Sequence, residues 1–337
     1  MHKLIKILEL ETTNTCNASC PQCLRTNETD ATPSDYTDVL DFDQVVANTG
    51  PEFWSRLEQI HFNGNTGDNI AHPAIKHIVI KVAALSPGAQ IAVSTNGSLR
   101  NTDWWSAFGS AVAHLKVSVI FGIDGLEDTH SLHRVGTSWQ KVIDNAQAFI
   151  LAGGHAQWQM IPFRHNQHQI QQCKELAEKI GFKKFFLRHE NRFSEQASQP
   201  VYFRNRLTHS IEPPLAVESI LNAHAHQHLK LSASMEQLTV KKKVNCHSLA
   251  TASLAIYADG TVWPCCFLMG WHKSQHQTKF YPLIKYHLDK ILKLDLDQMN
   301  LYNKSLEDIF DSKVWQQGYE QTFESRPNPV CLQQCSG

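Results

Sequence analysis

The sequence has no excess of charge of either sign: 31 Lys and Arg stand against 32 Asp and Glu over 337 residues, a formal net charge of −1. Without a basic surplus there is no electrostatic footprint for a polyanion, which argues against nucleic acid as a partner. No apolar run is long enough to span a bilayer. Met1-His2-Lys3-Leu4 leads directly into an alternating segment, with no apolar leader or cleavage site. No block of like charge marks a tail, and neither an internal repeat nor a low-complexity tract is visible. These absences predict a cytoplasmic chain with no membrane association. Nine cysteines in such a chain point to metal ligation in a reducing compartment and away from disulfides.

What is present begins with a thiol cluster. Ile5-Lys6-Ile7-Leu8-Glu9-Leu10 alternates as a strand should, and Cys16, Cys20 and Cys23 follow at C-x3-C-x2-C spacing. One short loop of three close thiols can wrap one small inorganic centre. Structural zinc wants four protein ligands, and no fourth Cys or well-placed His lies nearby. Iron–sulfur clusters are held by thiolates, commonly four, so three would leave one iron of a cubane free to bind something else.

The first half reads as strand then helix, repeated. Gln59-Ile60-His61-Phe62 is a short strand closed by Asn63-Gly64, and Pro73 introduces a helix carrying Ile75, Ile78, Val82 and Leu85. Gln90 to Ser94 is the next strand, followed by a helix with Trp104, Trp105 and Phe108. Val117 to Ile123, nearly all apolar, reads as a strand buried on both faces. A helix through Val142, Ile143, Ala146, Phe149 and Ile150 stops at Gly153-Gly154. Trp158 to Phe163, Ile170 to Ile180 and Lys184 to Leu187 give a further strand, helix and strand. Six strands alternating with helices imply a parallel sheet with right-handed crossovers, short of a closed eight-stranded barrel. Chemistry in such sheets sits at the carboxyl ends of the strands.

From about Phe193 to Asn245 the pattern turns short, mixed and His-rich, and it reads as a connector with a helical run from Leu215 to Leu229. His224, His226 and His228 alternate, so on a helix they do not share a face; they and Lys241-Lys242-Lys243 read as solvated surface. Cys173 falls on the apolar stripe of Ile170, Leu176, Ala177 and Ile180 and is assigned to the core. In the last third, Asp259-Gly260 between two β-rich runs reads as a hairpin turn near Cys246, Cys265 and Cys266. Cys331 and Cys335 add a close pair at the extreme C-terminus. Four thiols from a hairpin region and a terminal loop make a complete cluster site, with structural zinc as the alternative.

The C-x3-C-x2-C segment after a first strand resembles the signature of the radical S-adenosylmethionine (SAM) superfamily. The resemblance implies that Cys16, Cys20 and Cys23 hold a [4Fe–4S] cluster whose free iron chelates SAM. It also implies reductive cleavage of SAM to a 5′-deoxyadenosyl radical. The aromatic residue often found before the third cysteine is Gln22 here. Asn63-Gly64-Asn65-Thr66-Gly67-Asp68 occupies the place of the family's Gly-Gly-Glu-Pro segment, which makes Asn63, Gly64, Asn65 and Asp68 expected contacts of the methionine amino group. A plain Asn/Gly turn is the alternative. Ser94-Thr95-Asn96-Gly97 resembles the Thr-Asn-Gly segment, with Ser94 and Asn96 expected near ribose or the methionine carboxylate. Gly122-Ile123-Asp124-Gly125 and Arg134-Val135-Gly136 resemble later family segments, with Asp124 expected at ribose or substrate and Arg134 at the SAM carboxylate.

Gly260-x4-Cys265 after Cys246, with Ser305 to Phe310 before Trp315, resembles the SPASM/twitch extension of these enzymes. The few cysteines suit the shorter twitch form, with Cys246, Cys265, Cys331 and Cys335 holding one auxiliary [4Fe–4S] cluster. The Gly-x4-Cys spacing selects Cys265, leaving Cys266 either as a hydrogen-atom donor near substrate or as a buried small hydrophobe.

The expected fold is α/β: a partial (β/α)6 barrel over residues 1–192, a connector over 193–245 and a small α+β twitch domain over 246–337. The expected function is hydrogen-atom abstraction from an unactivated carbon, for oxidation or epimerisation of a small molecule or sugar. A flavodoxin- or ferredoxin-type protein is the expected reductant. Only fifteen residues precede Cys16, which leaves no room for an N-terminal peptide-binding wing; radical modification of a ribosomally made peptide is the alternative. A non-catalytic iron–sulfur or zinc protein is the reading from a different class.

Overall fold

Short strands and amphipathic helices alternate along the first half of the chain. In the computed structural model, which describes residues 4–21, 23, 25, 38–188, 193, 198–204, 206–215, 245–273, 295–319, 331 and 335, β1 (Ile7–Leu10) is followed by α1 (Phe42–Thr49) and α2 (Pro51–Ser55). Then come β2 (Gln59–Phe62), α3 (Ile75–Leu85), β3 (Gln90–Thr95), α4 (Thr102–Val112) and β4 (Val117–Gly122). The series ends with α5 (His130–His133), α6 (Trp139–Leu151), β5 (His155–Met160), α7 (Ile170–Ile180) and β6 (Lys184–Leu187). Polar residues start the helices by accepting orphan N–H groups: Asp41 from Gln44, Asn101 from Trp104 and Ser138 from Lys141. Pro73 lies two residues ahead of α3, whose N-cap is Ala74.

The six strands pair in parallel, in chain order. One face of this sheet is apolar: Leu8, Leu10, Ile60, Phe62, Val93, Phe121 and Trp158 are buried under the helices. Trp105 of α4 packs on Phe121 at 5.0 Å and on Phe149 of α6 at 5.8 Å, which fixes both helices to β4. The other face is polar and half-buried. Register places Glu9, His61, Ala92, Ser118 and His155 side by side across five strands, with Gln157 and Gln159 further along β5. The expectation of a β4 buried on both faces gives way here, because Ser118 and Ile120 turn toward this half-buried interior.

Two features lie outside the six-unit reading. Within the segment read as connector, β7 (Gln199–Phe203) and β8 (Arg206–Ile211) form an antiparallel hairpin. Its Val201 and Ile211 bury against Val135, Ile161 and Phe163 in a second, small apolar cluster. The helical run expected beyond Leu215, His224, His226, His228 and Lys241 to Lys243 lie outside the described residues, as does Gln22.

The C-terminal hairpin joins the main sheet. β9 (Ser253–Ile256) pairs in parallel with β1, and β10 (Val262–Trp263) pairs antiparallel to β9, giving an eight-stranded sheet of order β10-β9-β1-β2-β3-β4-β5-β6. The turn falls at Asp259-Gly260 as the sequence implies, with Asp259 accepting from Thr261 N–H at 3.0 Å. The helix Leu306–Asp311, capped by Ser305, buries Ile309 and Phe310, and Phe310 meets Trp315 edge-on at 4.6 Å. Among the described residues no helix is long and apolar enough to cross a membrane.

Candidate cluster and cofactor site

The loop after β1 carries Cys16, Cys20 and Cys23, all free and half-buried. Cys23 N–H donates to the Cys20 carbonyl at 3.0 Å, closing a turn that brings the last two thiols to one side. Ala18 N–H donates to Cys16 Sγ at 3.3 Å. Cys20 contributes to raising Cys16, and Cys23 to raising Cys20. Burial pushes Cys16 up to about 12 and Cys20 up to about 11, so metal binding here must displace protons. Among the described residues no three ligating side chains close around a single ion. A four-iron cluster does not need such closeness, since each thiolate binds its own iron. Three thiols, with no fourth Cys or His close by in the sequence of this loop, fit a cluster that keeps one iron open.

The strand ends hold this loop from the other side. Asn96, just past β3, donates to Cys16 Sγ at 3.5 Å and to Asn17 Oδ1 at 3.0 Å, while Asn17 donates to Ser98 Oγ at 2.8 Å. Asn96 thus touches the Cys16 sulfur directly. Asp68 lies behind it, fully buried, accepting from Ile70 N–H at 3.0 Å, Thr95 Oγ1 at 3.0 Å and Asn96 N–H at 2.8 Å. Both of its oxygens serve protein donors. Its place is that of a clamp between the β2 and β3 loops, not of an exposed carboxylate facing an ammonium. Asn63 and Gly64 lie at the end of β2, and Asn65 N–H donates to Glu11 Oε1 at 2.9 Å. Ser94 is half-buried on the polar face.

Asp124 is likewise fully buried and fully engaged. Its Oδ1 accepts from Ile161 N–H at 2.7 Å; its Oδ2 accepts from His133 Nδ1 at 2.7 Å and Arg134 Nε at 2.6 Å. Against the cost of burial, the adjacent Arg134 and His133 hold its carboxyl well below the usual carboxylate range. Both oxygens of Asp124, expected at ribose or substrate, serve this internal network. Neighbouring His130 accepts from Asp124 N–H through Nδ1 and faces Thr137 Oγ1 through Nε2 at 3.0 Å, which sets its neutral tautomer with the proton on Nε2.

The second set of thiols gathers at the other edge of the sheet. Cys246 and Cys335 lie against each other, a contact that raises the first thiol and lowers the second. Cys265 lies close enough to raise Cys246, and Cys265 and Cys335 both raise Cys331. Asn245 N–H donates to the Cys335 carbonyl at 2.7 Å, tying the terminal pair to the start of this region. Cys246, Cys265, Cys331 and Cys335 all pack in or against the main core, as Cys266 does, and among the described residues no three of them close around a single ion. Cys266 faces elsewhere, toward Glu9 and Glu11. The sequence reading passed over these two glutamates, although their shared parity on β1 with Ile7 marks them as inward-facing. Glu11 is buried, and burial pushes its carboxyl up to about 8.

Comparison with known proteins agrees with this arrangement. The family model of SPASM, an iron–sulfur cluster-binding domain, matches residues 246–336. No curated protein sequence matches the chain. Streptococcus suis SuiB bound to S-adenosylmethionine superposes with a TM-score of 0.57 at 13% identity, over 98% of this chain and 72% of that one. SuiB bound to precursor peptide SuiA gives 0.58 at 13% identity, over 99% and 71%. Native anSMEcpe with bound AdoMet gives 0.52 at 12% identity, over 94% and 84%. At such identities the likeness establishes a shared fold.

Proposed function

With the fold and cluster domain of a SPASM-type radical SAM protein, and with SAM and [4Fe–4S] clusters as its cofactors, this chain is, we propose, an enzyme that takes a hydrogen atom from an unactivated carbon of a small polar molecule such as a sugar. The carrying observation is the loop of Cys16, Cys20 and Cys23 after β1, three thiols at C-x3-C-x2-C spacing with Cys16 Sγ accepting from Asn96, which also donates to Asn17. When bound, the reduced N-terminal cluster supplies the electron that splits SAM into methionine and a 5′-deoxyadenosyl radical. The chain's own part is to hold and shield. Asp68 and Asn96 fix the loop, and the hairpin β7–β8 covers it, Gln199 donating to the Pro21 carbonyl at 2.8 Å.

The polar interior face supports the substrate class. Glu9, His61, Ser118, Gln157 and Gln159 offer donors and acceptors suited to hydroxyl groups, which a lining of apolar side chains would not. Four thiols at the second site leave its cluster no open iron, so it suits electron transfer. That favours oxidation to a carbonyl or alkene; epimerisation is favoured instead if Cys266, facing Glu9, returns a hydrogen atom. A second reading, modification of a ribosomally made peptide, is favoured by SuiB, whose structure is described bound to a precursor peptide. A flavodoxin- or ferredoxin-type protein would supply the electron.

Anaerobic reconstitution with iron and sulfide, then dithionite and SAM, tests the reading. 5′-Deoxyadenosine is expected, and its loss in the Cys16→Ala, Cys20→Ala, Cys23→Ala triple variant. Zinc without iron in the purified protein, or no deoxyadenosine from a fully loaded sample, would overturn it.

A further inference from the structure

Two carboxyl groups face the polar interior of the sheet, one after the other. Glu9 and Glu11 share parity on the first strand, about 6.6 Å apart along the chain. Glu11 N–H continues the ladder past β1, donating to the Ile256 carbonyl at 3.0 Å. Among the described residues neither glutamate takes part in an ion pair. The inward-facing positions of β1 to β5 hold no Lys or Arg; their basic side chains are His61 and His155. Half-buried Glu9 accepts through Oε2 from the Cys266 N–H at 3.1 Å, a neutral donor.

Glu11 is 1% exposed, and its Oε1 accepts from Asn65 N–H at 2.9 Å. Its Oε2 is buried and accepts no hydrogen bond among the described residues. The loop on which it leans leaves two further buried atoms unserved, Asn65 Nδ2 and Thr66 Oγ1, and Thr66 is only 2% exposed. A buried polar group without a partner is costly. Three of them, on two segments joined by the Asn65–Glu11 hydrogen bond, mark a place built for the polar groups of a ligand.

The atoms decide what that ligand carries. Carboxylate oxygens accept, an amide Nδ2 donates, and a threonine hydroxyl does either. An ammonium supplies the absent positive charge and three donors, and a hydroxyl close to it supplies the acceptor that Asn65 needs. An anion would be repelled by the glutamates. A metal ion does not fit, since no three ligating side chains converge among the described residues. Burial keeps the Glu11 proton in place, so the ionic part of the contact falls to Glu9 and Glu11 serves as a second acceptor.

We propose that Glu9 and Glu11, with the Asn65–Thr66 loop, form the substrate-recognition site, and that the substrate is a small amino alcohol. Its ammonium lies at the two glutamates and its hydroxyl at Asn65 and Thr66. The inference rests on the reading of this chain as an enzyme of small polar molecules and narrows that class to amine-bearing ones.

The test is anaerobic calorimetry on the reconstituted, SAM-loaded full chain, with glucosamine, glucose and N-acetylglucosamine as probes. Glucosamine is expected to bind about tenfold more tightly than the other two, which lack its charge. Glu9→Gln keeps an acceptor for the Cys266 N–H and removes the carboxylate; it is expected to lose that preference. If Glu9→Gln takes up less iron than the parent, Glu11→Gln replaces it, with a loss in the same direction expected. Equal affinities for the three sugars, or no binding of any, would overturn the proposal, as would a preference that survives both substitutions. A weaker SAM Kd in Glu11→Gln with the sugar preference intact would overturn it in favour of a cofactor contact. The readout needs no turnover. A chain that selects glucosamine yet forms no 5′-deoxyadenosine would instead sink the radical chemistry.

Discussion

The backbone N–H of Cys266 donates to Glu9 Oε2 at 3.1 Å, across 257 residues of sequence. Glu9 stands on the half-buried interior face of β1, beside His61 of β2. The Cys266 thiol also lies against Glu9, whereas Cys265 Sγ accepts from Leu268 N–H at 3.4 Å and lies near Cys335 as well as Glu9. Two adjacent cysteines therefore have different surroundings.

The difference predicts separable losses. Cys265→Ala is expected to lose the iron of the auxiliary site, whereas Cys266→Ala keeps the full iron and sulfide content. If Cys266 returns a hydrogen atom, product formed in D2O carries deuterium in the parent, because a thiol proton exchanges with solvent, and the Cys266→Ala product changes or disappears. Identical product from both proteins removes the donor role.

Gly67 is a packing constraint on the same loop. A Cβ there would lie 2.1 Å from the Thr13 carbonyl oxygen and 2.9 Å from Asn14 Cα, both backbone atoms just ahead of Cys16. Neither can yield without moving the loop. Gly67→Ala is expected to destabilise by about 1–3 kcal/mol, the usual cost of overpacking, and to lower iron uptake at the N-terminal site more than at the auxiliary one. Iron counts and a melting curve check both halves; normal loading and an unchanged Tm would show that the loop tolerates the added carbon.

Glu11 should leave a mark on the pH dependence of stability. Its carboxyl, ordinarily near 4.5, is held up to about 8 in the folded chain, chiefly by burial. The folded state thus keeps a proton that the unfolded state gives up. Its contribution is fully present below about pH 4.5 and is lost as pH rises through 8. Glu11→Gln, with no proton to lose, is expected to flatten the fall in Tm between pH 5 and 9. Melting curves with equal slopes for the two proteins would mean that Glu11 ionises without cost.

Much of this was open to a reader of the residues. Local apolar patterning exposed the six parallel strands and helices between them; Ile170–Ile180 and Lys184–Leu187 agree to the residue, whereas the strand read at Trp158 to Phe163 is β5 at His155–Met160. The β7–β8 hairpin escaped because Pro200 interrupts it, its turn passes through Arg204 at positive φ with no Asn-Gly pair, and only Val201 and Ile211 are buried. Helices α1 and α2 also passed unread, although Phe42, Val45, Phe53 and Trp54 bury on them. At the site, thiol spacing is local and legible. Asp68 and Asp124 show the limit, because a loop carboxylate looks the same in sequence whether it faces a ligand or a ring of backbone donors. The Glu9–Cys266 contact depends on β9 finding β1, which no local pattern encodes.

That strand pairing has a consequence for anyone dissecting the molecule. Ile7 to Leu10 pair with Ser253 to Ile256 along their whole length, so the two thiol sites hang from a single ladder that sets their separation. Truncation before β9 would strip β1 of its neighbour and leave an unprotected sheet edge inviting aggregation. A one-residue slip between the pair would turn every side chain of β9 to the opposite face, carrying the second centre out of line with the first.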